Sequence, residues 1–122
     1  MKIYLAGPMR CVEYYNFPLF DSVTESLKEM GNLVINPAEM DRTMHGFDAM
    51  LLPKDFDWSV VPDGFDLNAC IQHDIDCVLW ADAVVLLPNW ETSNGAKAEI
   101  AVARWAQKKV LLWPDMVQLE VF

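Results

Sequence analysis

Residues Ala83-Val84-Val85-Leu86-Leu87 run straight into Pro88-Asn89-Trp90-Glu91-Thr92-Ser93, and an alanine-rich stretch, Asn94 to Gln107, follows. Five consecutive apolar residues without alternation describe a strand covered on both faces, the condition of a central strand in a parallel sheet. The polar segment after it is a loop, and Ser93 stands where a helix N-cap belongs, so Asn94 to Gln107 reads as a helix. Outward from this unit, Lys109 to Trp113 is a further strand. Leu67 to Trp80 is a helix whose Leu67, Ile71, Ile75, Val78 and Leu79 are expected to face inward. Near the N-terminus, Lys2 to Ala6 forms a strand stopped by Gly7-Pro8, and Gly31 to Ile35 forms another stopped by Asn36-Pro37. Between them Phe20, Val23, Leu27 and Met30 recur at helical spacing, and Gly31 closes that helix. Residues Ala38 to Asp66 show no clear period and contain Gly46, Pro53, Pro62 and Gly64, so they read as an irregular insert or lid. The order β-α-β-insert-α-β-α-β predicts an α/β fold, a doubly wound parallel sheet of four to five strands within one domain, residues 1–122.

The 122 residues carry 9 Lys and Arg against 18 Asp and Glu, a net charge of −9, and 53% of them are hydrophobic. Such a chain buries a core, and its acidity argues against polymeric nucleic acid as a partner, because phosphates must be neutralised by Lys and Arg. A single small anion is still compatible with one Arg and one helix N-terminus. No apolar run approaches the roughly 20 residues of a membrane span. The start MKIYLAGP is too short for a secretory signal, so the cytosol is the expected location. Three cysteines without a CxxC fit a reducing compartment; Cys70 and Cys77 are expected to pack as small apolar residues on one helix face. His45 and His73 have no metal-binding spacing, and no metal or organic cofactor is expected.

Chemistry is sought beyond the carboxyl ends of the strands, where ligands bind in such sheets. Glu99 lies among Ala96, Ala98, Ala101, Val102 and Ala103. The surface just N-terminal of its carboxylate carries only Gly95 and Ala96, room for a ligand, although a solvated helix face would look the same. Ser93, Asn94 and Gly95 open that helix and suit an anion, or are an ordinary cap. Arg10 follows the first strand within Gly7-Pro8-Met9-Arg10, where a guanidinium serves either a phosphate or a surface carboxylate. Tyr4 serves the core or hydrogen-bonds a carboxylate, and Asp74 is either an exposed helix acid or one aimed at the sheet end.

Together YLAGPMR (4–10), HDIDCVLWADAVVLL (73–87) and SNGAKAE (93–99) resemble the nucleoside 2-deoxyribosyltransferase superfamily, which includes the 2′-deoxynucleoside 5′-phosphate N-hydrolases and short phage and bacterial relatives. The resemblance spans most of the chain outside residues 38–66. It implies that Glu99 is a nucleophile held by Tyr4 and that Asp74 contacts the sugar or delivers a proton. It also implies that Gly7 to Arg10 and Ser93 to Gly95 hold a 5′-phosphate. The transferases typically have Asp six residues before the nucleophile; Ser93 matches the phosphate-binding hydrolases instead. Pro8-Met9 departs from the small polar pair of those hydrolases. The implied activity is cleavage of the base–sugar bond of a (deoxy)nucleoside 5′-monophosphate, with water or a second base as acceptor and a small-molecule nucleotide as partner. A non-catalytic nucleotide-binding module and an NAD-type nucleosidase are the alternatives. The apolar tail Met116 to Phe122 suits an interface in a homo-oligomer.

Overall fold

The computed structural model describes residues 1–61 and 65–120. Its sheet has the order β2-β1-β3-β4-β5, formed by β1 (Lys2–Ala6), β2 (Leu33–Ile35), β3 (Ala83–Leu86), β4 (Lys109–Leu112) and β5 (Val117–Gln118). The first four strands are parallel, and β5 returns antiparallel along Leu111 and Leu112. Helix α1 (Phe17–Glu29) links β1 to β2, α2 (Pro37–His45) and α3 (Leu67–Trp80) precede β3, and α4 (Asn94–Trp105) joins β3 to β4.

Strand alternation divides the core into two layers. Ile3, Leu5, Ala83 and Val85 pack with Phe17, Phe20, Val23 and Leu27 of α1. Tyr4, Ala6, Val84 and Leu86 face the other way, onto Cys77 and Val78 of α3 and Ala96, Ile100 and Ala103 of α4. Successive side chains of a strand point to opposite faces, so a strand buried in both layers must be apolar at every position, as β3 is. The doubly wound fold expected from the sequence is thus present, with a fifth, antiparallel strand at one edge.

Two expectations need correction. The insert begins with a helix: Asn36 caps α2 by accepting from the Ala38 N–H, Pro37 stands in its first turn, and Gly46 ends it with φ +63°. Its period is hidden because only Pro37 and Ala38 of α2 are buried. The segment beyond is pinned down, since Phe47, Phe56 and Trp58 pack around the Tyr15 ring and the Cys11 N–H donates to the Trp58 carbonyl. Pro62 and Gly64, also part of that insert, lie outside the described residues.

The second correction concerns α3. Leu67, Ile71, Ile75 and Leu79 are 36 to 52% exposed, and its buried residues are Cys77 and Val78. The helix carries two stripes, and the one holding Cys70, Asp74, Cys77 and Val78 turns inward. In the tail, Met116 and Leu119 pack against the two core layers and Val117 is exposed, while Val121 and Phe122 lie outside the described residues.

Gly7 sits where the ends of β1 and β3 converge, and a Cβ there would lie 2.8 Å from Leu87 Cβ. Gly7→Ala is therefore expected to cost about 1–3 kcal/mol through overpacking. Gly95, whose Cβ would meet only Ser93 Oγ at 3.8 Å, should accept Ala with a gain of about 0.4–1 kcal/mol. Urea denaturation of the two variants checks this contrast; equal effects would refute it.

Candidate active site

Tyr4 reaches the α3/α4 layer because it is the third residue of β1, and its side chain is fully buried there. A buried phenol needs a partner, and the Tyr4 hydroxyl donates to Glu99 Oε2. Glu99 is on the second turn of α4, preceded one turn earlier by Gly95 and Ala96, so its carboxyl lies over a helix surface almost bare of side chains. Asp74 approaches the same hydroxyl from α3, brought in by the inward stripe of that helix.

This gathering raises the proton affinity of all three groups. Burial pushes the Glu99 carboxyl up to about 8; the Tyr4 hydrogen bond pulls it down and the nearby Asp74 pushes it up again. Burial also lifts Asp74 to about 6, opposed by His73 and Tyr4. The Tyr4 hydroxyl is held well above its usual range by burial and by the two carboxylates. At neutral pH the pair Glu99 and Asp74 therefore retains a proton that two exposed acids would have lost.

A second group of residues surrounds the loop after β1. Met9, Tyr15, Phe47, Phe65 and Leu67 help to wall a cavity of about 180 Å³, and Arg10 and Asp41 supply its charged side chains among the described residues. Sequence reasoning singled out Met9 and Arg10 but missed Asp41, which lies on α2 within the supposed irregular insert. The pair Asn36-Pro37 ahead of it and Gly46 behind it is the cap-and-stop signature that could have revealed that helix. Burial and the neighbouring Asp74 push the Asp41 carboxyl up to about 7, with Arg42 opposing them. Asp41 thus joins the cavity electrostatically to the Tyr4, Glu99 and Asp74 group.

The remaining candidates divide by role. Ser93 caps α4 as expected: its Oγ accepts from the Ala96 N–H at 3.1 Å, which leaves its own O–H hydrogen to donate elsewhere. The first-turn N–H groups of Asn94 and Gly95 have no helical acceptor, and both residues are exposed. Pro8 is buried, and its carbonyl accepts from Asn16 Nδ2, so it shapes the loop. The loops 7–10 and 88–93 leave adjacent strands at the same sheet end, where the Leu87 N–H donates to the Ala6 carbonyl. Arg10 and Ser93 therefore sit on neighbouring loops. Among the described residues no three His, Cys, Asp or Glu side chains gather as a metal ligand set, and no helix is long and apolar enough to cross a membrane. Cys77 is buried, as expected, whereas Cys70 is half-buried with its Sγ 3.3 Å from His45 Nε2.

The model of a domain of unknown function, DUF4406, matches residues 1–112. The chain belongs to this family. No curated protein matches it by sequence. Among solved structures, a 2-deoxyribosyltransferase of Bacillus psychrosaccharolyticus superposes with a TM-score of 0.61 at 20% identity, covering 92% of this chain and 71% of that one. A CMP N-glycosidase of Clostridium botulinum, BcmB, superposes with a TM-score of 0.55 at 17% identity, covering 92% of this chain and 67% of that one. At these identities the likeness is one of fold, and it is the fold that the three sequence motifs imply.

The protonated state of Glu99 has a measurable consequence for stability. A glutamate ionises near 4.5 in the unfolded chain and near 8 in the folded one, so between these values the folded state holds a proton that the unfolded state has released. Stability must then fall as pH rises through that window. Glu99→Gln removes the titration while keeping an acceptor for Tyr4. It should match wild type near the lower end and exceed it by about 0.5–2 kcal/mol near the upper end. Parallel pH dependences of unfolding for the two proteins would show that the carboxyl is not held as described.

Proposed function

We propose that the protein is an N-glycosidase that cleaves the base–sugar bond of a (deoxy)nucleoside 5′-monophosphate, with Glu99 as nucleophile. The observation that carries this reading is the buried Glu99 carboxyl, held by the Tyr4 hydroxyl and set beside Asp74. A pair of carboxyl groups in one site is what glycosidic chemistry requires, one to attack the anomeric carbon and one to manage protons. With the proton of the pair on Asp74, the ionised Glu99 attacks C1′, the base leaves with that proton or with one from water, and water or a second base releases the sugar from Glu99. Tyr4 orients the nucleophile.

The 5′-phosphate is assigned to the loop Gly7, Pro8, Met9 and Arg10 and to the start of α4 at Ser93, Asn94 and Gly95. An Asp at position 93 would repel a phosphate, whereas Ser93 can donate to it. Arg10 adds a forked donor suited to phosphate oxygens. The fold shared with a 2-deoxyribosyltransferase and a CMP N-glycosidase supports a nucleoside or nucleotide substrate for this chain.

Chromatography of free base released from ribo- and deoxyribonucleoside 5′-monophosphates, and from the matching nucleosides, tests the proposal. Wild type should release base from monophosphates, and Glu99→Ala should lower the rate by roughly 10³-fold or more. Failure to release base with water or with an added acceptor base would leave a nucleotide-binding module in its place.

A homo-oligomer belongs to the same reading. The apolar stripe Leu67, Ile71, Ile75 and Leu79 runs the length of α3 on its outer side, and a second copy of α3 packed on it would remove it from water. Light scattering should give a mass above 13.9 kDa for wild type and one closer to the monomer for Ile71→Glu with Ile75→Glu. A monomeric wild type would end this part of the reading.

A further inference from the structure

Asp41 is not used by the mechanism above, yet it is the acidic side chain on the cavity wall and stands close enough to Asp74 for the two carboxyls to interact. Among the described residues no side-chain hydrogen bond or ion pair reaches its carboxyl. Its neighbour Arg42 is taken by others: the guanidinium bonds Asp21 at 2.7 and 2.9 Å, Glu39 at 3.1 Å and Asp48 at 3.2 Å. Those contacts fix α2 and leave Asp41 on the cavity wall with no side-chain hydrogen-bond partner among the described residues. A partly buried carboxyl in a mostly apolar pocket calls for a ligand that supplies the missing hydrogen bonds.

We propose that Asp41 reads the base of the substrate, pairing with the amidine edge of an amino-substituted base, cytosine or adenine, rather than with the lactam edge of uracil or hypoxanthine. The inference rests on the N-glycosidase reading for its chemistry but not for its recognition. The carboxyl oxygen accepts from the exocyclic amine while the O–H donates to the adjacent ring nitrogen, giving two parallel hydrogen bonds. The rings of Tyr15, Phe47 and Phe65 on the cavity walls suit the flat faces of such a base. Burial and the closeness of Asp74 keep a proton on Asp41 near neutrality, which supplies the donor. An amidine ring nitrogen is a far better proton acceptor than a lactam oxygen, and a cavity backed by acids favours positive charge growing on the base.

For an amino-substituted base the same pairing supplies the leaving-group proton in place of Asp74 or water. As Glu99 bonds to C1′, the electron pair of the breaking C1′–N bond passes to the base and the Asp41 proton moves to the ring nitrogen. The base then departs neutral and Asp41 is left ionised. When water resolves the glycosyl-enzyme, the proton it sheds restores Asp41.

The test compares dCMP with dUMP and dAMP with dIMP, by rate of base release and by calorimetric binding, for wild type, Asp41→Ala and Asp41→Asn. Wild type should prefer the amino member of each pair by about 10- to 100-fold, and Asp41→Ala should erase the preference in both assays. Asp41→Asn can still pair but has no proton to give, so it should lose kcat on dCMP or dAMP with KM little changed. Equal treatment of amino and oxo bases by wild type, or an unchanged ratio in Asp41→Ala, would overturn the assignment. If no nucleotide releases base, the N-glycosidase reading fails, and the binding ratio alone decides whether Asp41 reads the base.

Discussion

The hydrogen bond from Tyr4 to Glu99 ties the strand layer to the helix layer at a place where the core is not apolar. A phenol at the third residue of β1 is carried into the α3/α4 layer by the alternation of the strand, and once buried its hydroxyl must be paired. Glu99 meets that need and in doing so is drawn under α3, where desolvation raises its proton affinity. α3 in turn presents its small, polar stripe to the sheet, because a stripe of leucine and isoleucine could not bring Asp74 beside the same hydroxyl. The outward position of Leu67, Ile71, Ile75 and Leu79 follows from this choice.

The position of α2 depends on a different kind of contact. Little of that helix is buried, so packing alone would hold it weakly. Its anchor is Arg42, which bonds Asp21 of α1 through both terminal nitrogens and lies 4.9 Å above the Phe17 ring. Asn36 adds a second tie, capping α2 with its side-chain oxygen and donating to Asp21 through its amide nitrogen. A forked, partly desolvated pairing of this type resists rotation in a way that a single surface ion pair does not. It is why the polar segment after β2 presents a defined face to the cavity.

Much of this was legible in the sequence, for reasons that differ by element. β3 was plain because a strand buried on two sides has no room for a polar residue, and the cap at Ser93 followed from its place between loop and helix. Tyr4, Asp74 and Glu99 were each ambiguous from pattern alone, and it was their joint likeness to one superfamily that set them in one site. α2 was missed because its stability lies in a cap and an ion cluster, neither of which leaves a hydrophobic period, so that only Asn36-Pro37 and Gly46 mark it in the sequence. The facing of α3 was misread because periodicity shows that a helix has an apolar stripe but not which way that stripe turns. Here the stripe with the larger side chains is the outer one.

The two margins of the sheet are short. β2 contributes three residues at one side and β5 two at the other, and β5 runs against its neighbour where the rest run together. Margins of this length offer little unpaired backbone on which another chain could add a strand, so the sheet is guarded against growth into fibrils without a charged or proline-rich border. Any association between copies is thereby steered away from backbone pairing and toward side-chain contacts between helices, which close into finite assemblies.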